Sequence, residues 1–268
     1  MSRPVFLVIG SAGLLGRHFM SALGDSATGL DLPEFDLLGG CEAVRSAVRS
    51  SGAGVVINCA AMTDVDGCEE HPAAAYALHR DAVGILASVS PLLVTFGTDH
   101  SFYGPGSAPR LEADPTAPAN TYARSKLQGE ALALGTGRSV VVRTSWLFAG
   151  DRGIVPYLAG DPSRTGPVRA VTDQKACVTY APDLVDAVLS ILRDGGMGLY
   201  HLVNPGEVSP FELAAELRSG SMEDPIPVRW EDLRLPARRP RYSALGTSRG
   251  YVLPSRQDAL NRWRRNNG

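Results

Sequence analysis

Residues 5 to 19 read VFLVIGSAGLLGRHF, a short apolar run that ends in a glycine-rich turn and passes into a helical pattern. Gly10, Gly13 and Gly16 are spaced GxxGxxG. In a strand-to-helix turn that binds a dinucleotide, the first glycine permits the tight turn and the second lets backbone approach a pyrophosphate. The third lets the helix pack closely on its strand. The phosphate charge would then meet the free N–H groups of the helix N-terminus. Leu14, Leu15 and Phe19 make the following helix amphipathic, and Leu14 and Leu15 at its first turn count among the expected cofactor contacts. Asp31 follows a second short apolar run, about 20 positions on, where an acid would hold the adenosine ribose hydroxyls. A carboxylate there repels a ribose phosphate, and no Arg or Lys follows it closely, so the cofactor expected is NADH or NADPH with a preference for NADH. The plain alternative is a glycine-rich turn that binds nothing.

Further β-branched or apolar runs recur at GVVINCA (54 to 60), LLVTFGT (92 to 98), SVVVRTSWLF (139 to 148) and GLYHLV (198 to 203). Between them lie segments with helical spacing, such as CEAVRSAVRS (41 to 50) and PDLVDAVLSILRDG (182 to 195). Continuous apolar runs suit strands covered on both faces, and alternation with helices gives a parallel sheet of right-handed crossovers. The fold class expected is α/β, a doubly wound, Rossmann-like parallel sheet with a smaller, irregular C-terminal substrate lobe. Residues 1–150 form the dinucleotide-binding domain, with 168–203 returning to it. Residues 204–268, Pro- and Arg-rich and without clear strands, form the lobe, with 151–167 contributing. The closing NRWRRNNG reads as a solvated chain end.

Composition narrows the function classes. The chain has 268 residues, 44% of them hydrophobic, enough for a sizeable core. A net charge of −2 offers no global basic field, so neither nucleic acid nor an anionic membrane is an expected partner. Cys41, Cys59, Cys68 and Cys177 lack CxxC spacing, which points to reduced thiols rather than disulfides or zinc ligands. DVDGCEE (64 to 70) places its glycine too early for an EF-hand and reads as a polar loop and helix cap, so no metal is expected. The apolar start is too short for a signal-peptide core and no later run would span a bilayer, so a cytoplasmic location follows. A homodimer is compatible with the sequence, which does not fix the oligomeric state.

Residues 121 to 130 read TYARSKLQGE, in a chain whose only lysines are Lys126 and Lys175. A helix sets Tyr122 and Lys126 on one face. A phenol that exchanges protons near neutrality must come down from about 10, a change of about 4 kcal/mol, and an adjacent ammonium in a partly dry cleft is a credible source.

These features together resemble the extended short-chain dehydrogenase/reductases, and more narrowly the dTDP-4-dehydrorhamnose reductase branch, over nearly the whole chain. The stretches that carry the resemblance are VINCAAMTDVDGCEE (56 to 70), TDHSF (98 to 102), NTYARSKLQGE (120 to 130), VVRTSWLFAG (141 to 150), VTDQKACVTYAPDL (171 to 184), GLYHLV (198 to 203) and RRPRYSALGTSR (238 to 249). The resemblance implies that Thr98 binds the substrate carbonyl oxygen and joins Tyr122 and Lys126 as the catalytic set, with Lys126 also holding the nicotinamide ribose. It implies hydride transfer from NAD(P)H to the C4 ketone of a nucleotide-linked 4-keto-6-deoxysugar. Cys59, Ala60, Ala61 and Thr63 match positions that line the cofactor, and Trp146 matches an aromatic that faces the substrate. Arg239, in an Arg-rich run, suits a substrate diphosphate because guanidinium forks match phosphate oxygens.

Three departures fall on the substrate side. The family's Ser-Thr-Asp-Tyr stands here as Gly97, Thr98, Asp99 and His100; the segment after Gly150 is short and lacks Asn-Asn-Phe; and the C-terminal lobe is trimmed. Asp99 and His100 are therefore expected to meet substrate. As an alternative chemistry, they would serve as acid and base in a nucleotide-sugar dehydratase or epimerase. A second alternative is a non-catalytic regulatory subunit of the same family.

Overall fold

The computed structural model describes residues 6–160, 167–218 and 223–267. Residues 161–166 and 219–222, within stretches assigned above to the lobe, lie outside the described residues. In chain order the strands are β1 (Phe6–Ile9), β2 (Ala27–Leu30), β3 (Val55–Asn58), β4 (Leu93–Thr98), β5 (Ser139–Thr144), β6 (Leu147–Ala149), β7 (Arg152–Gly153), β8 (Arg169–Val171), β9 (Ala176–Tyr180), β10 (Gly198–His201), β11 (Asn204–Val208) and β12 (Ile226–Val228). The helices are α1 (Leu14–Leu23), α2 (Cys41–Ser51), α3 (Val65–Glu70), α4 (Pro72–Tyr76), α5 (Ala82–Val89), α6 (Thr121–Gly135), α7 (Ile154–Ala159), α8 (Ala181–Arg193), α9 (Pro210–Arg218) and α10 (Arg256–Asn267), with a π turn at Ala77–Asp81.

Each of the five apolar runs supplies a strand to one six-stranded sheet of order β10-β5-β4-β3-β1-β2. Every pairing in it is parallel, as βαβ crossovers require. The chain leaves β1 for β2 on one side and returns to β3 on the other, so the order reverses between β1 and β3. A crevice at the carboxyl ends of these strands is where ligands bind in such sheets. The sheet is covered on both faces: one apolar cluster gathers Phe19, Val142, Phe148 and Leu184, the other Leu7, Val44, Leu86 and Val141. The fold is thus the doubly wound α/β arrangement the runs predict.

The run SVVVRTSWLF does not stay in one sheet. Trp146 takes a left-handed φ of 38°, unusual for a bulky residue, and turns the chain out of β5 into β6. β6 joins β7, β9 and β11 in a second sheet of order β11-β9-β6-β7, and β8 pairs with β12. The stretch 168–203 therefore divides. Its β10 belongs to the large sheet and its β8 and β9 to the small sheets, while α8 packs against α1 and against β6 and β9.

Two expectations about the C-terminal region give way. The region after residue 204 contains β11 and β12 as well as two helices. The final residues are also more than a solvated end: Trp263 of α10 is buried, its indole N–H donates to Gly150 O (2.8 Å), and Arg262 pairs with the buried Asp183. One aromatic among arginines carries too little apolar periodicity to announce a docked helix.

The approach of α6 to the π turn is unusually close. A β-carbon built on Gly129 would stand 1.9 Å from His79 O, inside contact distance. In a free helix, Gly129→Ala would stabilise by about 1 kcal/mol through propensity. Here it is expected to destabilise by about 1–3 kcal/mol through overpacking, read as a lower urea midpoint. An unchanged or higher midpoint would mean that the two backbones are not in contact.

Candidate active site

Helix α6 starts where it does because Asn120 caps it: Asn120 Oδ1 accepts the Ala123 N–H at 2.7 Å. The same side chain donates through Nδ2 to Arg238 O (2.7 Å) and to His100 Nδ1 (3.3 Å). Glu69 accepts both the Thr121 N–H and its hydroxyl at 2.7 Å, which places an acid at the positive end of the helix. Cap and acid together fix the first turn, which carries Tyr122.

Tyr122 and Lys126, one turn apart, line a cleft of about 610 Å³ at the carboxyl ends of the large sheet. The cleft brings together Gly13, Leu14 and Leu15 of the glycine turn, the strip Cys59, Ala60, Ala61 and Thr63, and Thr98, Asp99, His100 and Trp146. Gly10 and Gly16 shape the turn from behind. Gly10 takes φ +76°, and a β-carbon on Gly16 would lie 2.1 Å from Gly10 O. Helix α1 has no side-chain cap, so its first N–H groups remain available to an anion. Small residues along one wall and an uncapped helix end suit a dinucleotide.

Asp31 lies beside the glycine turn and does not line the cleft. One carboxylate oxygen accepts the Ala12 N–H at 2.6 Å and the other the Leu32 N–H at 2.9 Å. Both oxygens being occupied by backbone donors, its charge is partly compensated. The argument against a ribose phosphate weakens accordingly. Arg239 does not line the cleft, although its charge reaches His100 at the cleft wall. It grips Asp66 with both Nη atoms (2.5 and 2.7 Å), stacks over Trp230 at 4.9 Å, and lines a separate cavity of about 270 Å³.

The electrostatics differ from the expected acidified phenol. Burial pushes the Tyr122 phenol above its ordinary value and the Asp99 carboxylate pushes it further, while a hydrogen bond with Thr98 pulls the other way. Lys126 is the group that burial shifts down, to about 8, with Glu130 one turn on opposing the shift. Low dielectric penalises whichever form is charged, so it favours neutral phenol and neutral amine alike, and one neighbouring ammonium does not reverse this for the phenol.

Residues that sequence reasoning missed hold this pair in place. His79, buried in the π turn, accepts the Met62 N–H at Nε2 (3.0 Å). The proton therefore sits on Nδ1, which faces Ser125 Oγ at 2.9 Å, and Ser125 Oγ donates to Tyr122 O at 2.9 Å. Burial lowers His79 to about 3, so this arrangement persists through the neutral range. The Tyr122 ring is flanked edge-on by His79 (5.5 Å) and His100 (6.0 Å). Glu130 is buried against Arg143, whose Nε and Nη2 both reach Oε2 at 2.9 Å, while Oε1 has no partner. Gly97 makes this possible: a β-carbon there would stand 2.2 Å from Glu130 Oε1. The serine-to-glycine departure thus makes room for a buried carboxylate.

Residues 5–265 match the family described as RmlD substrate binding domain. The chain belongs to that family. It is 36% identical to the dTDP-4-dehydrorhamnose reductase of Streptomyces griseus over 265 residues, covering 92% of this chain and 87% of the relative. It is 35% identical to the dTDP-4-dehydrorhamnose reductase of Mycobacterium tuberculosis over 276 residues, covering 96% and 89%. The crystal structure of dTDP-4-dehydrorhamnose reductase from Bacillus anthracis in complex with NADP superposes with a TM-score of 0.92 at 27% identity, covering 98% of this chain and 99% of that one. That complex lends no support to the preference for NADH drawn from Asp31.

Replacing Glu130 with Gln leaves the Arg143 guanidinium buried without a counter-charge. Stability should fall by about 3 kcal/mol in urea unfolding, and a loss below about 0.5 kcal/mol would mean that the pair carries no such burden.

Proposed function

We propose that this protein reduces the C4 ketone of a dTDP-linked 4-keto-6-deoxysugar, with NADPH as the reductant. The reading is carried by one observation: Tyr122, one helical turn from a buried lysine, shares a cleft with Thr98 and with an uncapped, glycine-rich helix start. The names of the relatives supply the substrate class, and the NADP complex of the Bacillus anthracis relative favours the phosphorylated cofactor.

The groups suit the reductive direction. When bound, a reduced nicotinamide supplies the hydride. A ketone oxygen placed against Thr98 Oγ1 and Tyr122 Oη receives two hydrogen bonds, which strengthen as negative charge develops on it. Tyr122 stays protonated through the neutral range because burial raises its pKa, so it carries the proton the alkoxide takes. The phenolate left behind is stabilised by the Lys126 ammonium. With Lys126 at about 8, that charge is mostly present near pH 7. Trp146 offers a flat apolar wall to the deoxysugar, and its left-handed backbone holds it at the cleft. His100 accepts from Asn120 at Nδ1, so as a neutral ring it presents an Nε2–H donor.

Elimination or epimerisation by Asp99 and His100 is poorly served. Asp99 already accepts the Ser243 hydroxyl on one oxygen, and in the reductive reading the Thr98 hydroxyl turns from its other oxygen to the ketone. A purely regulatory subunit has no use for the Thr98, Tyr122 and Lys126 set.

Purified protein should oxidise NADPH only when a dTDP-4-keto-6-deoxysugar is added. Tyr122→Phe should lower turnover by about 10²–10⁴-fold with NADPH affinity retained. Turnover unchanged in that variant would sink the mechanism.

A further inference from the structure

The cleft needs an anchor for a diphosphate, and the arginine that the sequence suggests for it is otherwise engaged. Arg239 is held by Asp66 and Trp230 in a different cavity. Of the residues lining the cleft, two carry a full positive charge, Lys126 and Arg152. Lys126 is 7% exposed and stands at the reacting end. We propose that Arg152 is the anion anchor of this cleft, taking the diphosphate oxygens of a bound nucleotide, which is either the substrate or the cofactor. The inference rests on the nucleotide-dependent reading above.

Arg152 is exposed at the rim, and among the described residues its guanidinium has no hydrogen-bond, ion-pair or ring partner. A free guanidinium offers its whole fork to paired phosphate oxygens and, being already at the surface, loses little solvation on approach. Its backbone is braced. β7 pairs antiparallel with β6, setting Arg152 opposite Ala149 and Gly153 opposite the fully buried Phe148. A β-carbon on Gly153 would lie 2.2 Å from Leu147 O, so the hairpin is closed tightly at this point. The turn that leads into Arg152 is fastened from outside by the Trp263 indole on Gly150 O. The docked C-terminal helix therefore fixes where Arg152 stands.

The surroundings favour an anion. The cleft also includes the start of α1, whose first N–H groups have no side-chain cap. Its one lining carboxylate, Asp99, is turned to Ser243 and Thr98. Arg152 lies in the short segment after Gly150 where the family's Asn-Asn-Phe is missing, so no motif pointed to it.

Direct binding tests the assignment without relying on turnover. NADPH is titrated by its fluorescence and dTDP by calorimetry, against the wild type, Arg152→Gln and Arg152→Lys. Arg152→Gln should weaken binding of at least one nucleotide about tenfold, Arg152→Lys should recover part of the loss, and thermal unfolding should not change. A loss confined to dTDP assigns the anchor to the substrate, a loss confined to NADPH assigns it to the cofactor pyrophosphate, and a loss in both means that it serves the two. Wild-type affinity for both nucleotides in Arg152→Gln overturns the proposal while leaving the reductase reading intact. Failure of the wild type to bind either nucleotide overturns the reading on which the proposal rests.

Discussion

The burial of a single ammonium, that of Lys126, is the constraint around which the site is built. A charge taken out of water must be supported by its surroundings or given up. Glu130, one turn further along α6, supplies the support, and it is itself buried only because Arg143 neutralises it and Gly97 leaves it space. This links α6 to β5 by charge and to β4 by packing. The close seat of α6 on the π turn then follows, since Gly129 lets backbone meet backbone there.

The same burial governs the phenol. Tyr122 is held between two histidine edges, its carbonyl is fixed by Ser125, and it lines the same cleft as Thr98. His79 ties this arrangement to the strip at Met62 on the cofactor side, and Asn120 ties it to the C-terminal lobe through Arg238 O. Both flanking histidines are driven toward the neutral form by burial, so the ring sits among neutral donors and acceptors. In the proposed reduction, a phenol kept protonated by burial holds its proton until the substrate oxygen takes it, rather than standing ionised.

Much of this could be read from residue order alone, and the reason is local. Apolar runs such as VVIN and LVTFGT and the glycine spacing at 10, 13 and 16 each act within a few residues, so their periodicity and turn chemistry survive in one dimension. Tyr122 and Lys126 share a helix face, which is also a local relation. The small sheet, the docked α10 and the sealing of Arg239 by Asp66 depend on partners far away in sequence, 173 positions in the last case, and no spacing announces them. His79 had no signal because its role arises from a π turn that only tertiary packing selects. The phenol shifts up rather than down for a related reason: proximity to Lys126 is legible in sequence, but the extent of burial is not.

Because the chain has only two lysines, the central claim can be measured directly. Protein labelled with ¹⁵N at the lysine side chains, together with Lys175→Arg to leave a single signal, allows Lys126 to be titrated by NMR in the folded state. The account predicts a midpoint near 8, with the neutral amine appearing well below the pH at which an exposed lysine loses its proton. A Lys126 that titrates at the ordinary lysine value of about 10.4 would contradict it, because the ammonium would then be solvated and the site built around its burial would not exist.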